Sequence, residues 1–331
     1  MTDVPKADLH VHAEADARID RVLARRDGTK PYDWAAWVKR IQLVPPGMAR
    51  LNRWLIDRCR PVADVDRLDN DPELYVERIC DLMIDEASCG CVLSEILFGA
   101  RTVVRDDFIT GFRKAEQQVQ REFPHYHAEP LVSIRHTTDL KLWSRVLDFS
   151  QDGLAGISII PDPYETEADW RCLNRWAERA AMADLGITAH AGEFSAANLR
   201  AAIDLPGLTR LGHVTHGFDD LIGLLLEKDI AVECCLTSNT VLGAVENLEA
   251  HPIREYAENG VAVVLGSDDP VRVCTTIDRE YHIAFSLGFS SRDLHEITLT
   301  AIRRSFAPME RRRQIESLVS EWPSARMGSR G

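Results

Sequence analysis

Two histidines one residue apart, His10 and His12, lie in the opening segment Lys6-Ala-Asp-Leu-His-Val-His12. In an extended chain side chains alternate, so both imidazoles share one face while Val11 takes the other. Such a pair can grip one metal ion. A second pairing, His190 with Glu193, follows the apolar run Leu185-Gly-Ile-Thr-Ala189. A neutral imidazole nitrogen suits zinc, and a nearby carboxylate that does not ligate can carry protons to and from an activated water. Neither fragment suffices by itself. A histidine at a strand end is more often a polar group satisfied by hydrogen bonds, and two on one strand fit an exposed edge equally well.

The elements that would position these residues alternate regularly. Strands are expected at Lys6–His12, Gly90–Phe98, Glu129–His136, Gly153–Ile160, from Leu185 into His190, and at Thr209–Thr215, Ile230–Thr237 and Val261–Gly266. Helical patterns separate them, and helices at 279–287 and 291–306 close the series. Each strand is apolar enough to be buried on both faces, which specifies parallel pairing. Eight such units favour an α/β fold of the (β/α)8 TIM-barrel type over an open sheet. No GxGxxG follows the first strand, which argues against a dinucleotide-binding sheet. From about 18 to 70 the pattern is helical, broken at Gly28-Thr-Lys-Pro31 and Pro45-Pro46-Gly47. This insertion is larger than barrel closure needs. It could form a lid over the C-terminal face, with Asp33 capping a helix whose Trp34 and Trp37 wall a pocket. An amphipathic helix pair packed on its own core fits equally. The expected organisation is one domain over residues 1–323 and a disordered tail over 324–331.

A barrel's reacting groups sit at the C-terminal ends of its strands. Those ends hold His10 and His12, Glu95, Arg135 and His136, Pro161, His190 and Glu193, His213 and His216, Thr237–Asn239, and Asp268 with Asp269. Convergence from separate strands is stronger evidence than any single fragment. His10, His12 and His190 with one carboxylate from the last strand would form an N3O zinc site with room for water. Glu193 would stand beside it and His213 could orient the water. The chemistry this predicts is metal-assisted hydrolysis.

With these residues in view, the chain resembles the adenosine/adenine/AMP deaminase group of the amidohydrolase superfamily. The segments that carry the resemblance are His10–His12, His190–Glu193, Arg210–His213, Thr237–Asn239 and Ser267–Pro270. It extends to Gly243, His251-Pro252 and the closing segment from Ser286–Leu294 to Ser305-Phe306, so it runs in order along nearly the whole chain. The resemblance implies one Zn2+ per chain, bound by His10, His12, His190 and Asp268. It implies that Glu193 shuttles protons to the ring nitrogen beside the attacked carbon. It further implies that His213 orients the attacking water and that Asp269 holds that water and ring nitrogen 7 of a purine. The implied reaction is water attack at carbon 6 of a 6-aminopurine with loss of ammonia. Deamination or hydrolysis of a different amino-heterocycle or C–N bond is the alternative. A second metal is not expected, because two-metal relatives commonly bridge the ions with a strand-4 lysine and strand 4 here offers Ser158 and Ile160.

Departures from the family concern the substrate. A strand-4 glycine N–H often reads ring nitrogen 3; here the segment is Gly156-Ile-Ser-Ile-Ile-Pro161, and Pro161 has no N–H to give. Ala13-Glu14-Ala15 replaces the usual Leu-(Asp/Glu)-Gly, although Glu14 could still accept a sugar hydroxyl. The substrate expected is adenosine-like, a nucleotide or a modified derivative. A formal charge of -13 over 331 residues argues against nucleic acid as a partner. The eight cysteines form no regular framework, and neither a targeting peptide nor a membrane span is evident, so a cytoplasmic protein is expected.

Overall fold

The computed structural model describes residues 4–13, 18–30, 32–56, 71–136, 138–217 and 221–327. Eight strands run β1 Lys6–His12, β2 Cys91–Gly99, β3 His127–Arg135, β4 Gly156–Ile160, β5 Gly186–Ala191, β6 Leu208–His213, β7 Ala231–Cys234 and β8 Val263–Leu265. They lie side by side in chain order, every neighbouring pair parallel. A parallel bridge between Val11 and Asp268 joins the last strand end to the first. In that bridge the His12 N–H donates to the Asp268 carbonyl at 2.6 Å, and the Asp268 N–H donates to the His10 carbonyl at 2.7 Å. The (β/α)8 barrel expected from the alternation is the fold.

The period of two decides what each strand shows to each side. On β1, Ala7 and Leu9 pack outward in a cluster with Leu299, Ile302 and Val319 of the closing helices. Asp8, His10 and His12 point inward. Midway down the barrel, Arg210 of β6 donates to Glu95 of β2 at 2.5 Å and to Glu233 of β7 at 2.7 Å, all three fully buried. Below it Phe306 stacks on the Arg210 guanidinium at 3.8 Å. A Cβ at Gly156 or Gly186 would lie 2.5 or 2.1 Å from the Phe306 ring, so both positions need glycine for the ring to plug the barrel floor. Two expectations change here. Glu95 is not a strand-end residue facing a pocket, and Gly156 lies at the opposite end of β4 from the site.

The described part of the insertion forms three helices, α1 Ile19–Asp27, α2 Trp34–Ile41 and α3 Met48–Ile56. Asp33 caps α2 by accepting from the Ala36 N–H at 2.8 Å. Arginines tie the insertion down. Arg21 and Arg25 of α1 pair with Asp85 and Asp81 of α4, Pro72–Ser88, at 2.7 and 2.8 Å. Arg50 donates to the Val241 carbonyl at 2.6 Å, and Arg272 donates to the Trp54 carbonyl at 2.7 Å with its guanidinium 4.1 Å from the Trp54 ring. Trp34 and Trp37 are buried with Ile41, Trp54 and Val271 in a core of their own. Met309–Met327 is a further helix, which the expected tail boundary at Ser324 cuts; Ile315 and Val319 pack it on β1. No helix among the described residues is long and apolar enough to cross a membrane. The described cysteines are free.

Candidate active site

A cavity of about 430 Å3 opens at the C-terminal ends of the strands, with α3 on one side and the segment after β4 on the other. His12, His190, Glu193, His213, Asp268 and Asp269 all face it. His10 lies just beneath, 1% exposed. The strand-end residues of β1, β5, β6 and β8 therefore meet in one volume.

Three imidazoles converge through the same atom type. The His12 Nε2 lies 3.3 Å from the His10 Nε2 and 3.2 Å from the His190 Nε2. The Asp268 Oδ1 is 3.4 Å from the His12 Nε2 and 3.7 Å from the His10 Nε2. A tetrahedral zinc with bonds of about 2.0–2.1 Å separates its ligands by about 3.3–3.4 Å, so these spacings fit such an ion. The protonation pattern fits as well. His10 Nδ1–H donates to Glu233 Oε2 at 2.6 Å, and His190 Nδ1 lies 3.0 Å from Ser158 Oγ, which leaves both Nε2 lone pairs aimed at the centre. Burial, then the neighbouring imidazoles, push the His190 pKa well below its ordinary value, so the ring is neutral. Burial alone would raise the Asp268 carboxyl, but His213, His12 and His10 with the Ser238 hydroxyl at 2.5 Å hold it below its ordinary value. Glu233 is likewise buried, yet Arg210 and His10 hold it ionised with a pKa of about 2. The donor set is three imidazoles and one carboxylate, the chemistry zinc takes.

Glycine clears the space that His10 occupies. A Cβ at Gly212 would lie 2.8 Å from the His10 Cε1, and one at Gly266 would lie 2.6 Å from the His10 Cβ. Strand alternation alone would turn His213 outward, since Gly212 already faces in. Its φ of 72° re-aims it, so that its ring sits 5.0 Å from His10 and 5.1 Å from His190. Asp268 has a φ of 61°. Left-handed backbone at such residues costs about 1–3 kcal/mol each and persists only where neighbours over-determine it. At Asp268 the barrel-closing bonds to His10 and His12 do so.

Proton positions follow from a hydrogen-bond chain. The Ile253 N–H donates to His251 Nδ1 at 3.2 Å, so His251 carries its proton on Nε2 and donates to Asn239 Oδ1 at 3.2 Å. That fixes the Asn239 amide, whose Nδ2 donates to His213 Nδ1 at 3.1 Å. His213 must then hold its own proton on Nε2, facing the cavity; burial pushes its pKa down to about 3, so it is a neutral donor. Glu193, 5% exposed, receives Tyr164 Oη at 2.8 Å and lies 3.5 Å from Asn239 Nδ2. Burial and the charge on Asp268 push its carboxyl up to about 8, so it is protonated at neutral pH.

Of the remaining expected site residues, Pro161 lines the cavity, while Trp34 and Trp37 stand behind its wall and Gly156 is far from it. The wall that the insertion supplies comes from α3, through Met48, Leu51 and Trp54. Glu14 lies outside the described residues. Thr237–Asn239 belong to the helix Leu236–Leu242 that follows β7 rather than to its strand end. The site also takes in Tyr164, Glu233 and His251, to which the sequence assigns no role. Two of them carry a readable signal: Glu233 is a charge inside the apolar run Ile230–Cys235 and needs a partner, and His251 precedes Pro252 in the family resemblance.

Comparison with known proteins gives concordant results. The sequence profile of the family described as Adenosine deaminase matches residues 94–322. An adenine deaminase of Rhizobium meliloti is 38% identical over 128 residues, a stretch covering 38% of this chain and 40% of that protein. The chain thus spans about two-fifths of the length of that curated relative. An adenosine deaminase of Clostridium perfringens is 26% identical over 96% of this chain and 98% of its own. Among solved structures, adenine deaminase from Arthrobacter aurescens superposes with a TM-score of 0.76 at 22% identity, covering 97% of this chain and 99% of that one. Arabidopsis ADAL complexed with IMP gives 0.75 at 22% identity, covering 98% of each chain. A Burkholderia ambifaria amidohydrolase with bound Zn gives 0.76 at 22% identity, covering 98% and 92%. At such identity these structures speak for the fold.

Proposed function

Since the chain belongs to the adenosine deaminase family, we propose that it is a metal-dependent hydrolase that replaces the 6-amino group of an adenine-type purine with oxygen and releases ammonia. One observation carries this reading above the others. Three imidazole Nε2 atoms and the Asp268 carboxylate meet at zinc spacing, with the Glu193 carboxyl on the same cavity.

His10, His12, His190 and Asp268 would hold one zinc ion per chain. In such a donor set the ion supplies a water that ionises near neutral pH, about 7. The side chains around it do the rest. Protonated Glu193 donates to the ring nitrogen beside carbon 6, which draws electrons from that carbon as water adds. His213 Nε2–H and the Asp269 carboxylate flank the incoming oxygen, one donating and one accepting. As its oxygen becomes the carbonyl, the water gives up both protons: one leaves with the amino group as ammonia and the other restores the Glu193 carboxyl. The ring keeps the proton from Glu193, and the 6-oxopurine results. Each proton carrier is expected to contribute about 10²–10⁴ in rate. Oxygen and nitrogen chemistry of this kind needs a closed, partly dry pocket, and α3 with the β4 loop would provide one.

The substrate series is a matter of the cavity's outer half. ADAL was solved with IMP, so nucleotide-sized ligands fit this fold, and the series to try runs from adenine through adenosine to AMP and their N6-substituted analogues. The test is release of ammonia from each, with the aminopurine-to-oxopurine absorbance change as the second readout. Turnover of at least one member by metal-loaded protein supports the reading. Inactivity on the whole series, with another C–N bond cleaved instead, would replace it.

A further inference from the structure

Tyr164 is a cavity residue to which the proposed reaction gives no task. Beyond β4 the chain crosses the cavity mouth from Pro161 to Thr166. The buried Asn198 holds this crossing in place: its Nδ2 is shared by the carbonyls of Pro163, Tyr164 and Thr166 at 3.1, 3.0 and 2.9 Å. Its Oδ1 accepts from the Ala168 N–H and the Trp170 indole at 2.9 and 3.0 Å. Thus fixed, the loop delivers the phenol to Glu193 Oε2 at 2.8 Å, with its ring edge-to-face against Phe194, centroids 6.1 Å apart. Burial and the Glu193 carboxyl keep the phenol protonated, so it acts as a donor. Pro161, at the neighbouring strand end, has no N–H, so the backbone there offers a ligand no donor.

A cyclic amidine presents an N–C–N edge, two acceptor nitrogens with one carbon between them. With Glu193 on the first nitrogen, a hydroxyl lying 2.8 Å from the Glu193 carboxyl would come to lie along that edge, beside the carbon and the second nitrogen, to which it can turn its one proton. We propose that Tyr164 reads the far nitrogen and the intervening carbon of the substrate ring, so that the pocket takes rings with hydrogen at that carbon and refuses those substituted there. This rests on the deaminase reading and extends it to a named selectivity.

The probes are a 6-aminopurine, its 2-amino derivative and its analogue with ring nitrogen 3 replaced by CH. All are used in whichever of the base, nucleoside or 5′-monophosphate series the wild type turns over. Wild type, Tyr164→Phe and Tyr164→Ser are compared as metal-loaded full chains. Wild type is expected to disfavour the 2-amino ring by about tenfold or more in kcat/KM, and Tyr164→Ser to erase most of that ratio. Tyr164→Phe removes the Glu193 contact for both rings, so it is expected to lose about tenfold more on the parent ring than on the CH analogue, whose ring contact is already gone. Equal losses on both rings, or a wild type indifferent to the 2-amino group, would overturn the proposal while leaving deamination standing. Wild type inactive on all aminopurines would remove the premise as well.

Discussion

Asp268 donates its backbone N–H to the carbonyl of His10 at 2.7 Å, so the bond that closes the barrel also sets the last-strand carboxylate against the first-strand histidines. Site and fold are thereby coupled. Asp268→Asn keeps the side-chain shape and the backbone bond but removes the charge. It is expected to lose more than about 100-fold in metal affinity while the far-ultraviolet spectrum stays that of the wild type. Chelator competition and elemental analysis measure the first, circular dichroism the second.

Glu233 orients His10 through a 2.6 Å hydrogen bond and is itself fixed by Arg210 at 2.7 Å and by the Thr188 hydroxyl at 2.8 Å. Glu233→Gln should weaken metal binding by about 10–100-fold. It should also lower stability by about 3–5 kcal/mol, because it leaves the buried Arg210 charge half compensated. Denaturant titration alongside metal titration separates the two losses.

Gly212 leaves room for the His10 ring, and a Cβ there would stand 2.8 Å from His10 Cε1. Gly212→Ala should cost about 1–3 kcal/mol through overpacking and weaken metal binding, since His10 is the group that must shift. Unchanged metal affinity would show that the ring has slack.

His251 is buried neutral, its pKa pushed down to about 3 by burial. In the unfolded chain a histidine titrates near 6.5, so its contribution to stability is full above about pH 6.5 and is lost as pH falls toward 3. The slope is about 1.4 kcal/mol per pH unit below that point. His251→Asn is expected to be less stable than wild type at pH 7.5 and to lose ground more slowly on acidification. Parallel thermal scans at about pH 7.5 and pH 5 check this, and the two proteins losing the same stability would contradict it.

The barrel and the centre of its site were legible because both rest on local pattern. Alternation put His10 and His12 on one face, and the strand-end rule brought in His190, Glu193, His213 and Asp268. Relations created by packing were not legible. Tyr164 meets Glu193 across a loop whose path depends on Asn198, a residue with no sequence signature. Trp34 and Trp37 have helical spacing whether they face a cavity or a core, and packing against Val271 chose the core. Thr237 continues the apolar run of β7, yet the backbone turns into a helix at Leu236, and that turn brings Ser238 to Asp268 and Asn239 to His213. The helix Met309–Met327 has no clear apolar pattern because its opening turns, Glu310–Glu316, are mostly charged, with Ile315 and Val319 as its buried anchors.

The central claim is that a metal held by His10, His12, His190 and Asp268 works with the Glu193 proton on an aminopurine. Its most direct test is ammonia release by metal-loaded wild type and Glu193→Gln, side by side on the adenine, adenosine and AMP series. The expected result is turnover by the wild type and a loss of about 10²–10⁴ in kcat for Glu193→Gln at unchanged metal content. A metal-loaded wild type that releases no ammonia from any member, or a Glu193→Gln variant as fast as the wild type, would contradict it.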